Sequence, residues 1–190
     1  MPKDGPAADP PGATPGVTIA ALLTVLARVS GATSVVEVGT GEGETGSALL
    51  TGMGEGGTLT SIDFDPSVQR TARERLNVAA GGNTPQVRLI AGTAREVLTR
   101  LADDAYDLIV VNKSDEDCAI YLENALRLLR VGGMLVLTDA TRDGTVIDPA
   151  NRGVPESAMR ETLKAARENE QLAAVLLPFA GGVLLAVRLV

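Results

Sequence analysis

The chain has 190 residues, 45% of them apolar, with a formal charge of −7, one cysteine (Cys118) and no histidine. That length suits one domain with a full core, and an acidic balance without a basic stripe argues against a nucleic-acid partner. The lack of histidine excludes histidine bases, Ser-His-Asp triads and histidine-ligated metals. A lone cysteine excludes an internal disulfide framework, and no apolar run approaches the ~20 residues needed to span a bilayer. The opening MPKDGPAADPP lacks the apolar core of a secretory signal, so a cytoplasmic protein without a membrane partner is expected.

Five of the ten prolines fall in the first fifteen residues, a composition that buries too little surface to offset ordering entropy. A mobile tail over residues 1–15 is therefore expected, followed by one domain over residues 16–190. Residues 17–30 place Leu22, Leu23, Leu26 and Val29 on one helical stripe, predicting a helix packed on a sheet. The first strand covers residues 34–38 and runs through a glycine-rich turn into a helix ending near residue 50. A second strand spans residues 58–63, and Pro66, in a first helical turn where proline is tolerated, opens a helix that Gly81 and Gly82 stop.

Residues 86–91 read as a third strand, 94–102 as a short helix, and the apolar run 106–111 as a buried parallel strand. A helix over residues 117–130 follows, with Gly132 and Gly133 separating it from a strand over 134–139. A loop to residue 155 leads to a helix ending near 171. The final apolar runs, 172–177 and 183–189, are joined only by PFAGG, which is too short for a parallel crossover and predicts an antiparallel hairpin. The sum is an α/β fold: a seven-stranded, mostly parallel sheet with an antiparallel last strand and helices on both faces.

The organising stretch is residues 34–46, SVVEVGTGEGETG. Gly41, Gly43 and Gly46 fit the dinucleotide pattern G-x-G-x-x-G, with Asp63 about 20 residues on, where a ribose-binding acid belongs. Glu37 separates the alternatives: an acid two residues before Gly39 gives E-x-G-x-G-x-G, typical of S-adenosylmethionine sites. A cationic sulfonium and ammonium favour carboxylates near the loop, whereas Glu37, Glu42 and Glu44 would repel a pyrophosphate. Otherwise the glycines only make a tight turn and Glu37 is solvated at a strand end. Asp63 can accept from both ribose hydroxyls or cap the helix before Pro66, although Asp65 is better placed to cap. Phe64 either covers the adenine or simply packs.

On VVEVGTGEG, LTSIDFDP, VRLIAGTAREVLTRL, YDLIVV and YLENALRLLRVGGMLVLTDA, residues 14–190 resemble the class I S-adenosylmethionine-dependent O-methyltransferases, in the bacterial branch similar to catechol O-methyltransferase. The resemblance implies a Rossmann-like sheet, a homodimer and a small-molecule methyl acceptor. It places Glu37 and Gly39 along the methionine part of the cofactor, with Thr40, Gly41 and Gly43 forming the loop and Thr45 near the methionine carboxylate. Asp63 takes the ribose, Thr93, Ala94 and Arg95 border the adenine, and Asn112 is counted among the cofactor-binding residues.

Relatives of this branch bind a divalent cation through an Asp after the fourth strand and an Asp-Asn pair after the fifth; here those positions read Asn112, Asp139 and Ala140. Hard cations need oxygen ligands, preferably charged, so no metal site is expected. The family's lysine base is replaced by Asp115, leaving Lys113, two residues away, and Asp115 itself as candidate catalytic residues. The family also has further helices before the first strand, where this chain shows one. Three readings follow: methyl transfer to a hydroxyl of a small molecule, a degenerate methyltransferase-like domain that binds cofactor or a partner, and a nicotinamide-dependent oxidoreductase resting only on the glycine match.

Overall fold

A computed structural model describes residues 18–81, 85–112 and 117–190. The expected tail, Gly82 and the candidate catalytic residues Lys113 and Asp115 lie outside the described residues. The elements are α1 (Ile19–Val29), β1 (Ser34–Val38), α2 (Glu44–Gly52), β2 (Thr58–Asp63), α3 (Pro66–Ala79), β3 (Gln86–Ala91), α4 (Ala94–Leu98), β4 (Tyr106–Val111), α5 (Cys118–Leu128), β5 (Leu129–Leu137), α6 (Val154–Glu168), β6 (Leu172–Leu177) and β7 (Val183–Arg188). The seven strands form one sheet in the order β3-β2-β1-β4-β5-β7-β6. β7 runs antiparallel to both neighbours, as the PFAGG connection requires, and the β1, β2, β3, β4 and β5 pairings are parallel.

Alternation along the strands divides the core. Val35, Leu59, Leu108, Val110 and Val136 face α1, α2 and α3. Val36, Ile62, Ile109, Val111, Leu135 and Leu137, at positions of the opposite parity in their strands, face α4, α5 and α6. Helices therefore cover both faces, and the central strand β4 is apolar on both sides through Leu108, Ile109, Val110 and Val111, as a buried parallel strand must be. No helix among the described residues is long and apolar enough to cross a membrane.

Three details depart from the sequence reading. α1 packs chiefly on α2 rather than on the strands: a Cβ at Gly52 would run into the Thr24 carbonyl and lie 2.8 Å from the Ala27 Cβ. Its buried stripe is consequently Leu23 and Ala27, with Val29 on the solvent side at 72% exposure. Gly132 and Gly133 do not separate α5 from β5 but lie inside β5, where the register against β4 jumps from Tyr106↔Leu129 to Leu108↔Met134. A Cβ on Gly133 would sit 2.9 Å from the carbonyl oxygens of both Arg130 and Tyr106, so the pair forms a bulge that residues with side chains could not make. The loop after β5 also contains a 3₁₀ turn, Arg142–Gly144.

Candidate active site

The C-terminal ends of β1, β2 and β4 lie side by side, and the loops leaving them form the site. Because strand side chains alternate, Glu37 falls on the same face as Val35, the face covered by α2, rather than projecting from the strand end. Ser61 is its register partner on β2. α2 comes close enough to seal this position because residue 46 is glycine: a Cβ there would be 2.7 Å from Leu76 Cδ2 and 3.0 Å from Glu37 Oε2.

Glu37 is fully buried and joins four elements. Its Oε1 accepts from Thr45 Oγ1 at 2.5 Å and from Asn112 Nδ2 at 3.1 Å, and its Oε2 accepts from Ser61 Oγ at 2.6 Å. Asn112 Nδ2 also reaches the Gly39 carbonyl at 3.0 Å and Thr45 Oγ1 at 2.7 Å. In the other direction Ser61 Oγ pairs with Thr40 Oγ1 at 2.8 Å, and the Thr40 N–H donates to Asp63 Oδ2 at 2.9 Å. A continuous polar chain thus runs from Asp63 to Asn112 beneath the glycine loop. Burial pushes the Glu37 carboxyl up to about 7; the three donors oppose that rise and the nearby Asp63 charge adds to it.

Two hollows meet at Gly39, whose φ of +88° lets the chain turn between them. One, of about 260 Å³, is walled by Asp63, Phe64, Gly92, Thr93 and Ala94, with Asp117 and Tyr121 from the α5 side. The other, of about 400 Å³, is lined by Thr40, Gly41, Thr45, Asn112, Glu42 and Glu44, with Ile19 and Thr138 at its edge. The hollows share the Gly39 backbone and carry four carboxylates, Asp63, Glu42, Glu44 and the Arg95-paired Asp117, with no Lys or Arg among their described linings.

Not every predicted residue faces this space. Gly43 starts α2, and a Cβ on it would lie 3.1 Å from Ala72 Cβ, so its smallness serves helix packing. The Arg95 side chain turns to Asp117, 2.6 Å away, and lines neither hollow. Thr93 does line the first hollow, and its hydroxyl also caps α4, accepting from the Glu96 N–H at 3.3 Å. Asp65, not Asp63, caps α3. Glu37 is enclosed under the loop rather than presented to the hollows or to solvent. Sequence reasoning missed Ser61, Asp117 and Tyr121; the one available signal was a serine two residues after Leu59, on the strand face that packs into the core.

The positions that hold metal in the resembled branch do not assemble a donor set here. Ala140 is buried and offers no ligand. The Asp139 carboxylate lies against Gly181 of the β6–β7 hairpin, where a Cβ would collide with it. Asn112 spends its amide nitrogen on the loop, and its Oδ1 is buried. Among the described residues no three metal-ligating side chains converge.

A sequence model of the O-methyltransferase family matches residues 13–189. The chain belongs to that family. A Mycobacterium marinum protein with the provisional name O-methyltransferase is 45% identical over 170 residues, covering 90% of this chain and 75% of that protein. A Corynebacterium glutamicum crystal structure superposes with a TM-score of 0.83 at 31% identity, covering 94% of this chain and 83% of that one. The O-methyltransferase from Bacillus cereus in complex with SAH superposes with a TM-score of 0.82 at 22% identity, over 94% and 84% of the two chains, a likeness of fold. Membership in this O-methyltransferase family displaces the nicotinamide reading of the glycine loop.

Proposed function

We propose that this O-methyltransferase family member transfers a methyl group from S-adenosylmethionine to a hydroxyl of a small molecule, without a divalent metal. The observation that carries the proposal is the pair of acidic hollows around Gly39, which suits a phosphate-free, cationic cofactor and would repel a dinucleotide. The SAH held by the Bacillus cereus neighbour, which has the same fold, agrees with that choice.

In this assignment Asp63 accepts the ribose hydroxyls, with Phe64, Thr93 and Ala94 beside the adenine. Gly39, Thr40, Gly41 and Thr45 carry the methionine half, and Glu37, Gly43 and Asn112 hold the loop that does so. When bound, S-adenosylmethionine supplies an already activated methyl group. The protein's part is alignment of the acceptor oxygen and removal of its proton. Lys113 and Asp115 are the proposed bases, and no step runs through a metal. Arg95 acts at one remove, by holding Asp117 at the edge of the hollow.

Calorimetric titration with S-adenosylmethionine and S-adenosylhomocysteine, each with and without Mg²⁺, tests the reading. Micromolar binding indifferent to Mg²⁺ is expected, followed by methyl transfer to small phenols; failure to bind either compound would overturn it. The absent metal donors also favour a second reading, a cofactor-binding domain without turnover, which binding without transfer to any acceptor would support. We also propose a cytoplasmic homodimer whose folded unit is residues 16–190. The exposed Val175 and Leu176 on the edge strand β6 support self-association, which light scattering tests.

A further inference from the structure

Position 112 follows the fourth strand, where the resembled branch carries an aspartate for metal. Here its side chain lies on the face covered by α2, next to Glu37, and its amide nitrogen donates to three acceptors: the Gly39 carbonyl, Thr45 Oγ1 and Glu37 Oε1. The Gly39 carbonyl can only accept, and Thr45 Oγ1 has committed its own proton to Glu37. The nitrogen must therefore face the loop, since a flipped amide would set oxygen against oxygen. An aspartate has the shape of asparagine but would place a second carboxylate against both the buried Glu37 and the Gly39 carbonyl, with no described Lys or Arg paired to either. The Asn112 Oδ1, the end of the amide turned away from the loop, is buried and has no hydrogen-bond partner among the described residues.

We infer that Asn112 is a positioning residue for the cofactor loop, and that its clamp onto Gly39, Thr45 and Glu37 closes this position to a metal-ligating carboxylate. The loss of the metal donors at this position is then not simple decay. The same side chain that would hold the ion has been turned into the pin of the loop, and the loop depends on it. This rests on the proposed cofactor role of the loop, but the clamp itself is measurable without cofactor.

The test compares Asn112→Asp, Asn112→Ala, Glu37→Gln and the double variant Glu37→Gln/Asn112→Asp. Two readouts apply: affinity for S-adenosylhomocysteine with and without Mg²⁺, and thermal midpoint without ligand. Asn112→Asp should lower affinity at least about tenfold and should be worse than Asn112→Ala, although it is the closer in size, because the injury is charge and not volume. Adding Glu37→Gln should restore at least half of both losses, since it removes the opposing carboxylate. Mg²⁺ should change nothing in any variant, including Asn112→Asp/Ala140→Asn.

The inference is overturned if Asn112→Asp binds within twofold of wild type, if Asn112→Ala is the worse of the two, if Glu37→Gln restores nothing, or if Mg²⁺ tightens binding. Should Asn112→Asp fail to fold, recovery of a folded protein by Glu37→Gln supports the clamp, and no recovery overturns it. If the wild type binds no S-adenosylhomocysteine, the proposed function fails, while the midpoints still decide whether Asn112 and Glu37 are coupled.

Discussion

The two halves of the sheet end in loops built by different means. On the β1–β2–β4 side every left-handed backbone position in the loop after β1 is a glycine, at residues 39, 41 and 43, and the polar side chains beneath are joined in one hydrogen-bonded chain. On the β5–β7–β6 side the left-handed positions include Asp139, Arg142, Asp143 and Ala180, residues for which that conformation is strained. What holds them is docking of two loops. The N–H groups of Ala140 and Thr141 donate to the carbonyls of Gly182 and Gly181 at 2.8 and 2.7 Å, and Thr141 Oγ1 adds a second bond to Gly181 at 2.7 Å. The first loop takes its left-handed turns from its own glycines and is pinned from beneath by Asp63 and Asn112. The second takes its shape from tertiary contact.

If that contrast is right, substitutions on the first side should act on ligand binding and those on the second on stability alone. The largest effect is expected from Asp63→Ala, which removes the proposed ribose acceptor and the anchors of the Thr40 and Asp65 N–H groups. At ~1.5–3 kcal/mol per charged hydrogen bond, affinity for S-adenosylhomocysteine should fall about a hundredfold. An unchanged dissociation constant by calorimetry would refute the ribose assignment.

Glu37→Gln comes next, read as a pH dependence. The Glu37 carboxyl is raised to about 7 by burial, above its ordinary value of 4.5. Between those values the folded protein keeps a proton that the unfolded chain has released, so wild-type stability falls as pH rises through this window, by about 3 kcal/mol in all. Urea unfolding at pH 5 and pH 8 should show the drop in wild type and its absence in Glu37→Gln. Equal slopes would mean that Glu37 is not enclosed as described.

On the other side, Gly181→Ala should cost about 2 kcal/mol of stability, because φ is +74° and the new Cβ would meet the Asp139 carboxylate. Its affinity for S-adenosylhomocysteine should stay within about twofold of wild type. A tenfold loss would erase the distinction between the two loops. Smallest of all, Ala180→Gly should stabilise the protein by about 0.5–1 kcal/mol by relieving its φ of +49°, seen as a modest rise in thermal midpoint.

How far the site was legible follows the same division. The order of the elements, the reversed last strand and Asp63 on the hollow wall could all be read from local pattern. Glu37 was recognisable as unusual, but reading it as a strand-end charge near the cofactor put it on the wrong side of the loop. Period-2 alternation was in the sequence, while the helix covering that face, and the passage of Gly46 above it, were not. Gly132 and Gly133 misled for a related reason. Two glycines signal a break, and only pairing with β4 makes that break a bulge inside a strand.

The sequence by itself determined the α/β class, the strand-to-helix turn at Gly39, the antiparallel closure and the acidic character of the loop. These depend on periodicity, backbone freedom and connection length, which are properties of neighbouring residues. Only the tertiary structure decided that Glu37, Ser61, Thr45 and Asn112 form one buried network, that Arg95 turns to Asp117, and that Asp139 lies against the hairpin. Those outcomes depend on strand order and register, which bring residues 75 apart in the chain, such as Glu37 and Asn112, within hydrogen-bonding distance. A buried carboxylate must find donors wherever the fold puts them.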